Sequence, residues 1–352
     1  HRISPDLRLQ GRIYAGERDN LQFQSGNTWV GLARRFDGLG LQLDGRGRTT
    51  AGPVDWVVGL DRDRSGEQRQ GGAAANGEKT GAIDRNEWNA SANRDLFAQA
   101  QWRLGERWSL TTGARRSDVT LRSRDDYLTD GRDGSGEVRY RATQPVLGLT
   151  HHASDDLNLY ANYGRGFETP TLAEAAYSVS GASVVGSFNP RLAAARSRHL
   201  EAGLKWAPAR GARVDLAAFR IDTQDEIVSV LSTGGRTAYA NATQTRREGL
   251  ELALRRDWSA HWRGLASASV MRATYDQAFG AVPAGNRLPG VPARQAFASL
   301  QWSQGGFSAG ASRPAQGAEV ALDLVARSRL WANDANTASA AGYGLLNLRL
   351  RQ

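Results

Sequence analysis

The sequence of 352 residues contains no cysteine and a single methionine. Without cysteine the chain can form no disulfide framework, iron–sulfur cluster or thiolate zinc site, and it has no cysteine nucleophile. It also lacks any run of about 18 apolar residues, the length that a transmembrane helix needs, and its mean hydropathy is −0.51. These absences leave open one class of membrane protein, the β-barrel, because its strands turn half of their side chains toward a polar lumen.

Lysine is almost missing as well. Lys79 and Lys205 are the only lysines in a chain whose net charge is +9 and whose pI is about 10.3. The basic residues are therefore nearly all arginine, and they are interleaved with Asp, Glu, Gln and Ser along the whole chain. Proteins that bind nucleic acid concentrate such residues in a patch or stripe. The even spread predicts instead a polar barrel interior and rim, with no nucleic-acid partner.

The strongest pattern is an alternation of apolar and polar residues with a period of two. Leu250 and Leu252, for example, flank Glu251. Successive side chains of a strand point to opposite faces, so each such segment has one apolar and one polar face. No comparable segment shows a sustained period of 3.6 residues, which a helix would need. We predict an all-β fold from segments at 96–103, 108–115, 157–164, 200–206, 250–255, 296–302 and 319–324.

The lengths of the segments and of their connections favour a transmembrane antiparallel β-barrel over a soluble sandwich or propeller. The segments often run for about 8 to 12 residues, whereas soluble strands average about 5 to 6. Short polar turns are predicted at 105–106, 154–156, 207–212 and 257–261. Between them fall long glycine- and charge-rich loops at 63–87, 123–137, 166–196, 223–237, 276–292 and 329–342. Outer-membrane barrels have this regular exchange of short periplasmic turns and long outer loops.

Tryptophan placement supports the same interpretation. Aromatic rings prefer the headgroup level of a bilayer, where they form a girdle around a membrane barrel. Several tryptophans lie within a few residues of a predicted short turn: Trp102, Trp108, Trp206, Trp258, Trp262 and Trp302. Ordinary core tryptophans near strand ends are the alternative, but the clustering at the short-turn end favours a girdle.

Roughly sixteen or seventeen strand candidates can be counted, with uncertain boundaries. His1 opens directly into polar, alternating sequence, so we expect no signal peptide within it, and the segment 343–352 stops within a strand pattern. A strand without a neighbour exposes unpaired backbone groups, which a bilayer does not tolerate. We therefore expect residues 1–352 to be one incomplete barrel domain, a fragment of a larger barrel.

A run of short motifs resembles the TonB-dependent outer-membrane receptors. The first is NYGRGFETPTLAE at 162–174, where in that family an upward strand enters a long outer loop. The others follow in the family's order: NPRL at 189–192, LEAG at 200–203, AFRID at 218–222, DEIV at 225–228, YANA at 239–242, RREGLEL at 246–252 and GNRLPGVP at 285–292. Each motif is weak alone, but their shared order is specific. The resemblance covers about 146–352, and the earlier part of the chain matches by strand pattern only.

The resemblance implies an active transporter of the cell outer membrane. Family members bind a scarce ligand at their outer loops, by default a ferric siderophore, and import it with energy from the TonB complex. The segments GGRTAY at 234–239, TRR at 245–247 and GFETPT at 166–171 most resemble the branch of the pyrroloquinoline quinone receptor and its relatives, whose ligand is a small polyanionic cofactor. Family members also carry a TonB box and a plug that fills a barrel of roughly 22 strands. Neither the box nor the plug is visible here, nor are the closing strands.

The residues give no support for an enzyme or a resident cofactor. An enzyme needs a convergent set of acid, base or nucleophile groups, and no zinc-protease, serine-hydrolase or phosphate-loop spacing is present. Adjacent strand residues point to opposite faces, so His151 and His152 make a poor metal pair. The carboxylates at 130–137 have a loose calcium-loop spacing, but a solvated outer loop is the better interpretation. We predict no metal site.

Binding is the chemistry that remains. A large anionic ligand needs donors that survive partial desolvation, and guanidinium groups form bidentate bonds to carboxylates and catecholates. Aromatic rings beside them could stack on a planar ligand. The predicted ligand-binding residues are Arg165, Phe167, Arg236, Tyr239, Arg246, Arg247 and Arg287. For each arginine the alternatives are an internal ion pair or a contact to lipopolysaccharide phosphate in the surrounding outer membrane. Two other classes of protein stay open, a passive porin and a soluble β-rich adhesin.

Overall fold

The computed structural model describes residues 2–24, 26–233, 236–307 and 317–352. The strands are β1 (Arg2–Ser4), β2 (Leu7–Gln24), β3 (Thr28–Thr49), β4 (Gly52–Ala75), β5 (Glu78–Leu104), β6 (Trp108–Asp125), β7 (Gly136–His152), β8 (Leu157–Glu168), β9 (Tyr177–Ser180), β10 (Ser183–Gly186), β11 (Ala195–Trp206), β12 (Ala212–Thr233), β13 (Arg236–Asp257), β14 (Trp262–Tyr275), β15 (Arg294–Ser303), β16 (Glu319–Arg327), β17 (Leu330–Trp331), β18 (Ser339–Ala340) and β19 (Tyr343–Arg351). One short helix, α1 (Leu172–Ala175), precedes β9. No described helix is long and apolar enough to cross a membrane.

One antiparallel sheet of 15 strands contains nearly the whole chain, and neighbours in the sheet follow one another along the sequence. Among the described strands, only the pairs β9–β10 and β17–β18 stand outside it, as small hairpins within long connections. This up-and-down meander is the wall of a partial β-barrel, as predicted. The predicted strand count of roughly sixteen or seventeen is close to the 15 of the main sheet. His1, Gly234 and Gly235 lie outside the described residues.

The cross-strand register gives the sheet one apolar face and one polar face. Leu252 lies opposite Leu216 on one side and Ala268 on the other, and residues paired in this way share a face. On that face Leu250 is 56% exposed, whereas on the other face Asp95 is only 3% exposed. A soluble protein has the reverse distribution. We call the apolar side the outward face and the polar side the inward face, toward the lumen.

The four predicted short turns all lie at one end of the sheet. The turns at 105–107, 153–156, 207–211 and 258–261 join consecutive strands there. Trp262 lies opposite Trp302 beside these turns, and Trp108 packs against His151 with ring centroids 4.3 Å apart. Trp206 and Trp258 are exposed at the same end. The tryptophans therefore line the short-turn edge of the outward face.

Two of the predicted long loops are wrong. The segment 63–87 continues β4 and β5 and contains only a tight turn, in which Asn76 and Gly77 have φ of 52° and 78°. The segment 223–237 likewise continues β12 and β13. Both stretches lie beyond the apolar band, where both faces of a strand meet water, so the alternation that marks a strand disappears. The other long loops, at 123–137, 166–196, 276–292 and 329–342, connect strands at this opposite end.

The face assignment predicts an asymmetric response to charge. Leu252→Arg places a guanidinium on the outward face at the middle of the apolar band. It should lower the free energy of unfolding from lipid vesicles by about 2–4 kcal/mol. The matched control is Ala253→Arg, which lies one residue away on the inward face. Urea titration of the protein in vesicles measures both, and equal losses for the two variants would contradict the assignment.

Candidate functional site

The wall opens between β7 and β8 at the long-loop end. The β7–β8 ladder reaches only as far as Val146 opposite Gly164, while β8 stays paired with β11 up to Glu168 opposite Ala195. The two strands therefore separate above that point. Residues 169–194, which we call the insert, follow β8 from that point and pack on residues of β6, β7 and β13.

The insert is anchored by a cap and by apolar packing. The side chains of Thr171 and Glu174 form a capping box that fixes the start of α1. Phe188 is buried in a cluster with Tyr140, and the Tyr140 hydroxyl donates to the carbonyl oxygen of Leu192 at 2.7 Å. A capping box satisfies two free backbone donors of the helix, so the insert holds a defined shape rather than a loose one.

On its inner side the insert places Tyr177 between two arginines of the wall. Arg69 of β4 donates from Nη2 to the Tyr177 hydroxyl at 2.9 Å, and its guanidinium lies 5.5 Å from the ring centroid. The guanidinium of Arg85, from β5, lies 4.6 Å from the same centroid and also donates to the carbonyl oxygen of Ala176 at 3.3 Å. We call Arg34, Glu67, Arg69, Arg85, Glu87 and Tyr177 the mouth cluster.

The charges of the mouth cluster do not balance. Arg85 pairs with Glu87 at 2.5 Å, and Arg34 donates from Nε to Glu67 at 2.8 Å. Arg69 has no carboxylate partner within the part of the chain that the structure describes, and its buried Nε has no hydrogen-bond partner there. Burial, followed by the neighbouring charge of Arg85, lowers the pKa of the Arg69 guanidinium. An anion could occupy this position and satisfy both the charge and the free N–H.

Strands that are far apart in the order of the main sheet meet at the mouth cluster. Arg236, at the start of β13, lies 3.7 Å from Asp84 of β5, although five strands of the main sheet order separate β5 from β13. Ala238 of β13 is buried against Tyr177 of the insert. The β4–β5 and β12–β13 hairpins therefore approach each other over the insert, and the mouth cluster lies where they meet.

A second set of contacts orders the loops beside the mouth. Arg247 donates from Nη1 to Glu226 at 2.9 Å. The Tyr275 hydroxyl donates to Asp334 at 2.6 Å, which ties β14 to the loop before β19. Burial and this hydrogen bond raise the pKa of Tyr275. Asn286 Nδ2 donates to the carbonyl oxygen of Asp334 at 2.8 Å, so the outer loops at 276–293 and 328–342 are joined to each other and to the wall.

The structure divides the predicted ligand-binding residues into groups. Arg236 and Arg247 lie near the mouth in the ion pairs described above, and Tyr239 lies opposite Ser229 in the same β12–β13 hairpin. Phe167 packs on the apolar cluster that anchors the insert. The remaining three, Arg165, Arg246 and Arg287, border cavities on the outward face of the sheet.

Sequence reasoning missed Arg69, Arg85 and Tyr177. The two arginines fall in the segment that was predicted to be a loop, because its residues are polar on both faces. One local signal was available: Asn76-Gly77 is the residue pair that favours a two-residue hairpin turn. No local signal marks Tyr177, because its partners Arg69 and Arg85 come from distant strands.

Comparison with known proteins adds a family match. The family model described as "TonB dependent receptor-like, beta-barrel" matches residues 4–352. The fold is similar to that of the ferric yersiniabactin uptake receptor FyuA from Yersinia pestis, with a TM-score of 0.74 and 18% identity over 99% of this chain and 51% of the receptor. This chain therefore spans about half the length of that receptor.

Two further solved structures show the same fold. The siderophore receptor PiuA from Acinetobacter baumannii has a TM-score of 0.76 and 12% identity, over 99% of this chain and 56% of the receptor. The copper transporter OprC has a TM-score of 0.75 and 16% identity, over 98% of this chain and 54% of the transporter. At such low identity these likenesses establish the fold and not the ligand.

The mouth cluster predicts different effects for its two arginines. Arg85→Met leaves Glu87 buried without its partner, and breaking a buried ion pair in this way costs about 3–5 kcal/mol. Amide hydrogen exchange in the insert should therefore accelerate by roughly a hundredfold or more. Arg69→Met removes a charge that has no carboxylate partner together with one hydrogen bond to Tyr177. A bond of that kind contributes about 0.5–1.5 kcal/mol, so exchange in the insert should accelerate by roughly tenfold or less. Faster exchange in Arg69→Met than in Arg85→Met would contradict this assignment.

Proposed function

Because the chain belongs to the TonB-dependent receptor-like β-barrel family, we propose that it forms the wall of an active transporter. Members of this family are outer-membrane β-barrels of Gram-negative bacteria, and the chain is accordingly an outer-membrane protein. In the proposed cycle a scarce ligand binds at the mouth, and the TonB complex then supplies the energy for its release inward. Receptors and transporters of this kind are not enzymes.

We propose that residues 1–352 are the barrel part of a longer protein. The support is that the chain spans about half of each similar solved structure, 51% in one and 56% in another. A plug domain and a TonB box would then be contributed by sequence outside these residues. The partial sheet is not expected to couple to TonB by itself.

The ligand class that the mouth favours is anionic. The carrying observation is Arg69, a partly buried guanidinium without a carboxylate partner among the described residues, beside the Tyr177 ring. Guanidinium groups bind the oxygens of carboxylates and catecholates in pairs. A ferric siderophore presents such oxygens, and FyuA and PiuA are both named for such ligands. Arg236 and Arg247 are paired with Asp84 and Glu226, so they would contribute N–H donors and no net charge.

A polyanionic cofactor of the pyrroloquinoline quinone type is the alternative ligand. It would use the same guanidinium groups, and the β12–β13 hairpin that resembles that branch lies at the mouth beside the insert. Copper, which OprC is named for, has less support here because soft sulfur ligands suit that metal, and the sequence has no cysteine and one methionine. A passive porin also has less support, because the insert and two hairpins converge over the mouth.

Calorimetry on the full-length protein tests this proposal. Ferric siderophores and pyrroloquinoline quinone are titrated side by side into the wild type and into Arg69→Gln. Loss of one charged hydrogen-bond donor should weaken the preferred ligand by roughly tenfold or more, since such bonds contribute about 1.5–3 kcal/mol. The matched control is Arg256→Gln, at the short-turn end of β13. Equal affinities in the wild type and Arg69→Gln would remove the mouth cluster from the binding site.

A further inference from the structure

On several strands the first outward residue above the apolar run, toward the long-loop end, is an arginine. On β11 the outward residues run upward from Trp206 through Leu204, Ala202 and Leu200, and the next is Arg198. On β8 the outward run likewise ends at Arg165 after Tyr163. We call the arginines in this position the arginine belt: Arg62, Arg94, Arg116, Arg165, Arg198 and Arg220.

The belt brings like charges together. Arg165 lies directly opposite Arg198, and Arg62 lies directly opposite Arg94. Like charges in opposite positions destabilise a sheet. Within the described ranges of the chain none of these four arginines has a carboxylate partner, although many other arginines of the sheet do. Arg220 of the belt pairs with Asp222, but these four members have no internal counter-ion and are left for an external anion to neutralise.

The charge is concentrated in a groove of about 660 Å³ on the outward face. Arg116, Arg141, Arg165, Arg196, Arg198 and Arg246 line it, and Asp222 is the one carboxylate among the described residues of its lining. Arg246 and Arg220 share that carboxylate, at 2.7 and 2.9 Å. Arg246 also pairs with Asp276 at 2.9 Å, and Arg141 pairs with Asp118 at 3.1 Å. Four of the seven arginines of the lining are left without a carboxylate partner among the described residues: Arg116, Arg165, Arg196 and Arg198.

The position of the groove along the membrane normal indicates which layer of the membrane surrounds it. Trp206 and Arg198 are separated by about 27 Å along the strand at about 3.4 Å per residue. With a strand tilt of about 40° this is roughly 20 Å along the membrane normal, near the upper edge of an apolar band of about 25 Å. Arginine side chains there can extend their charged ends to the interface. The groove therefore opens to the outer headgroup layer and not to the lumen.

We propose that this groove is a binding site for the phosphorylated sugar headgroup of a glycolipid of the outer leaflet, of the lipid A type. Each phosphate accepts paired hydrogen bonds from a guanidinium, and the acyl chains lie along the apolar residues below the belt. The phosphate removes the repulsion between Arg165 and Arg198. The transported ligand does not bind here, so the site is independent of the ligand proposed for the mouth.

Native mass spectrometry of the full-length protein in a neutral detergent tests the site. Bisphosphorylated lipid A is titrated into the wild type and into the double variant Arg165→Gln/Arg198→Gln. We expect the double variant to bind at least about tenfold more weakly, which corresponds to about 1.4 kcal/mol. The control is Arg256→Gln, which removes an outward arginine at the opposite edge of the apolar band, between Ala212 and Gly264. Binding to the control should match the wild type.

Titrations with two other lipids show whether the phosphate groups of lipid A are what the site binds. Dephosphorylated lipid A should bind the wild type as weakly as bisphosphorylated lipid A binds the double variant, and phosphatidylglycerol should not substitute for lipid A. The proposal would be overturned if the wild type bound dephosphorylated lipid A or phosphatidylglycerol as tightly as bisphosphorylated lipid A. It would also be overturned if the double variant and Arg256→Gln lost the same affinity for lipid A.

If the double variant fails to show the heat-modifiable mobility of a folded barrel, Arg165→Lys/Arg198→Lys replaces it. That variant keeps the charge but loses paired hydrogen bonds, so binding as tight as in the wild type would also contradict the site.

Discussion

Backbone hydrogen bonding in hydrocarbon is the constraint on which the rest of the structure depends. A bilayer offers no water to unpaired N–H and C=O groups, so a spanning chain must satisfy them itself. The antiparallel ladder from β2 to β16 does this, and it also fixes the direction of every side chain, since successive residues alternate between faces. From this alternation follow the exposed outward leucines, the polar inward residues such as Asp95, and the tryptophans beside the short turns.

The same alternation separates two groups of arginine that look alike in the sequence. Arg69 and Arg85 face inward at the mouth, where they hold Tyr177 of the insert. Arg165 and Arg198 face outward, one step above the apolar band. Only the register distinguishes them, because all four lie among polar neighbours. The first pair is suited to a ligand that enters from water, and the second pair to the headgroups that surround the barrel.

The sequence allowed the membrane-spanning part of the fold to be predicted, because each face there meets a different solvent. Leu250, Glu251 and Leu252 show that contrast directly. The prediction failed along 63–87, where both faces meet water and the contrast vanishes, although the Asn76-Gly77 turn was a usable signal. The mouth cluster could not be predicted, since Arg85 and Ala176 are 91 residues apart and meet only after the insert has folded. The predicted ligand residues were selected from the motifs, which do not report the register.

Spin labels at positions 252 and 251 of the full-length protein in lipid vesicles provide the most direct test of which solvent each face meets. Leu252 lies among outward neighbours, and Glu251 lies opposite Ala217 and Ser269 on the inward face. The label at 252 should be relaxed mainly by oxygen dissolved in the lipid, and the label at 251 mainly by an aqueous nickel chelate. Equal accessibility of the two labels to both reagents would contradict the account.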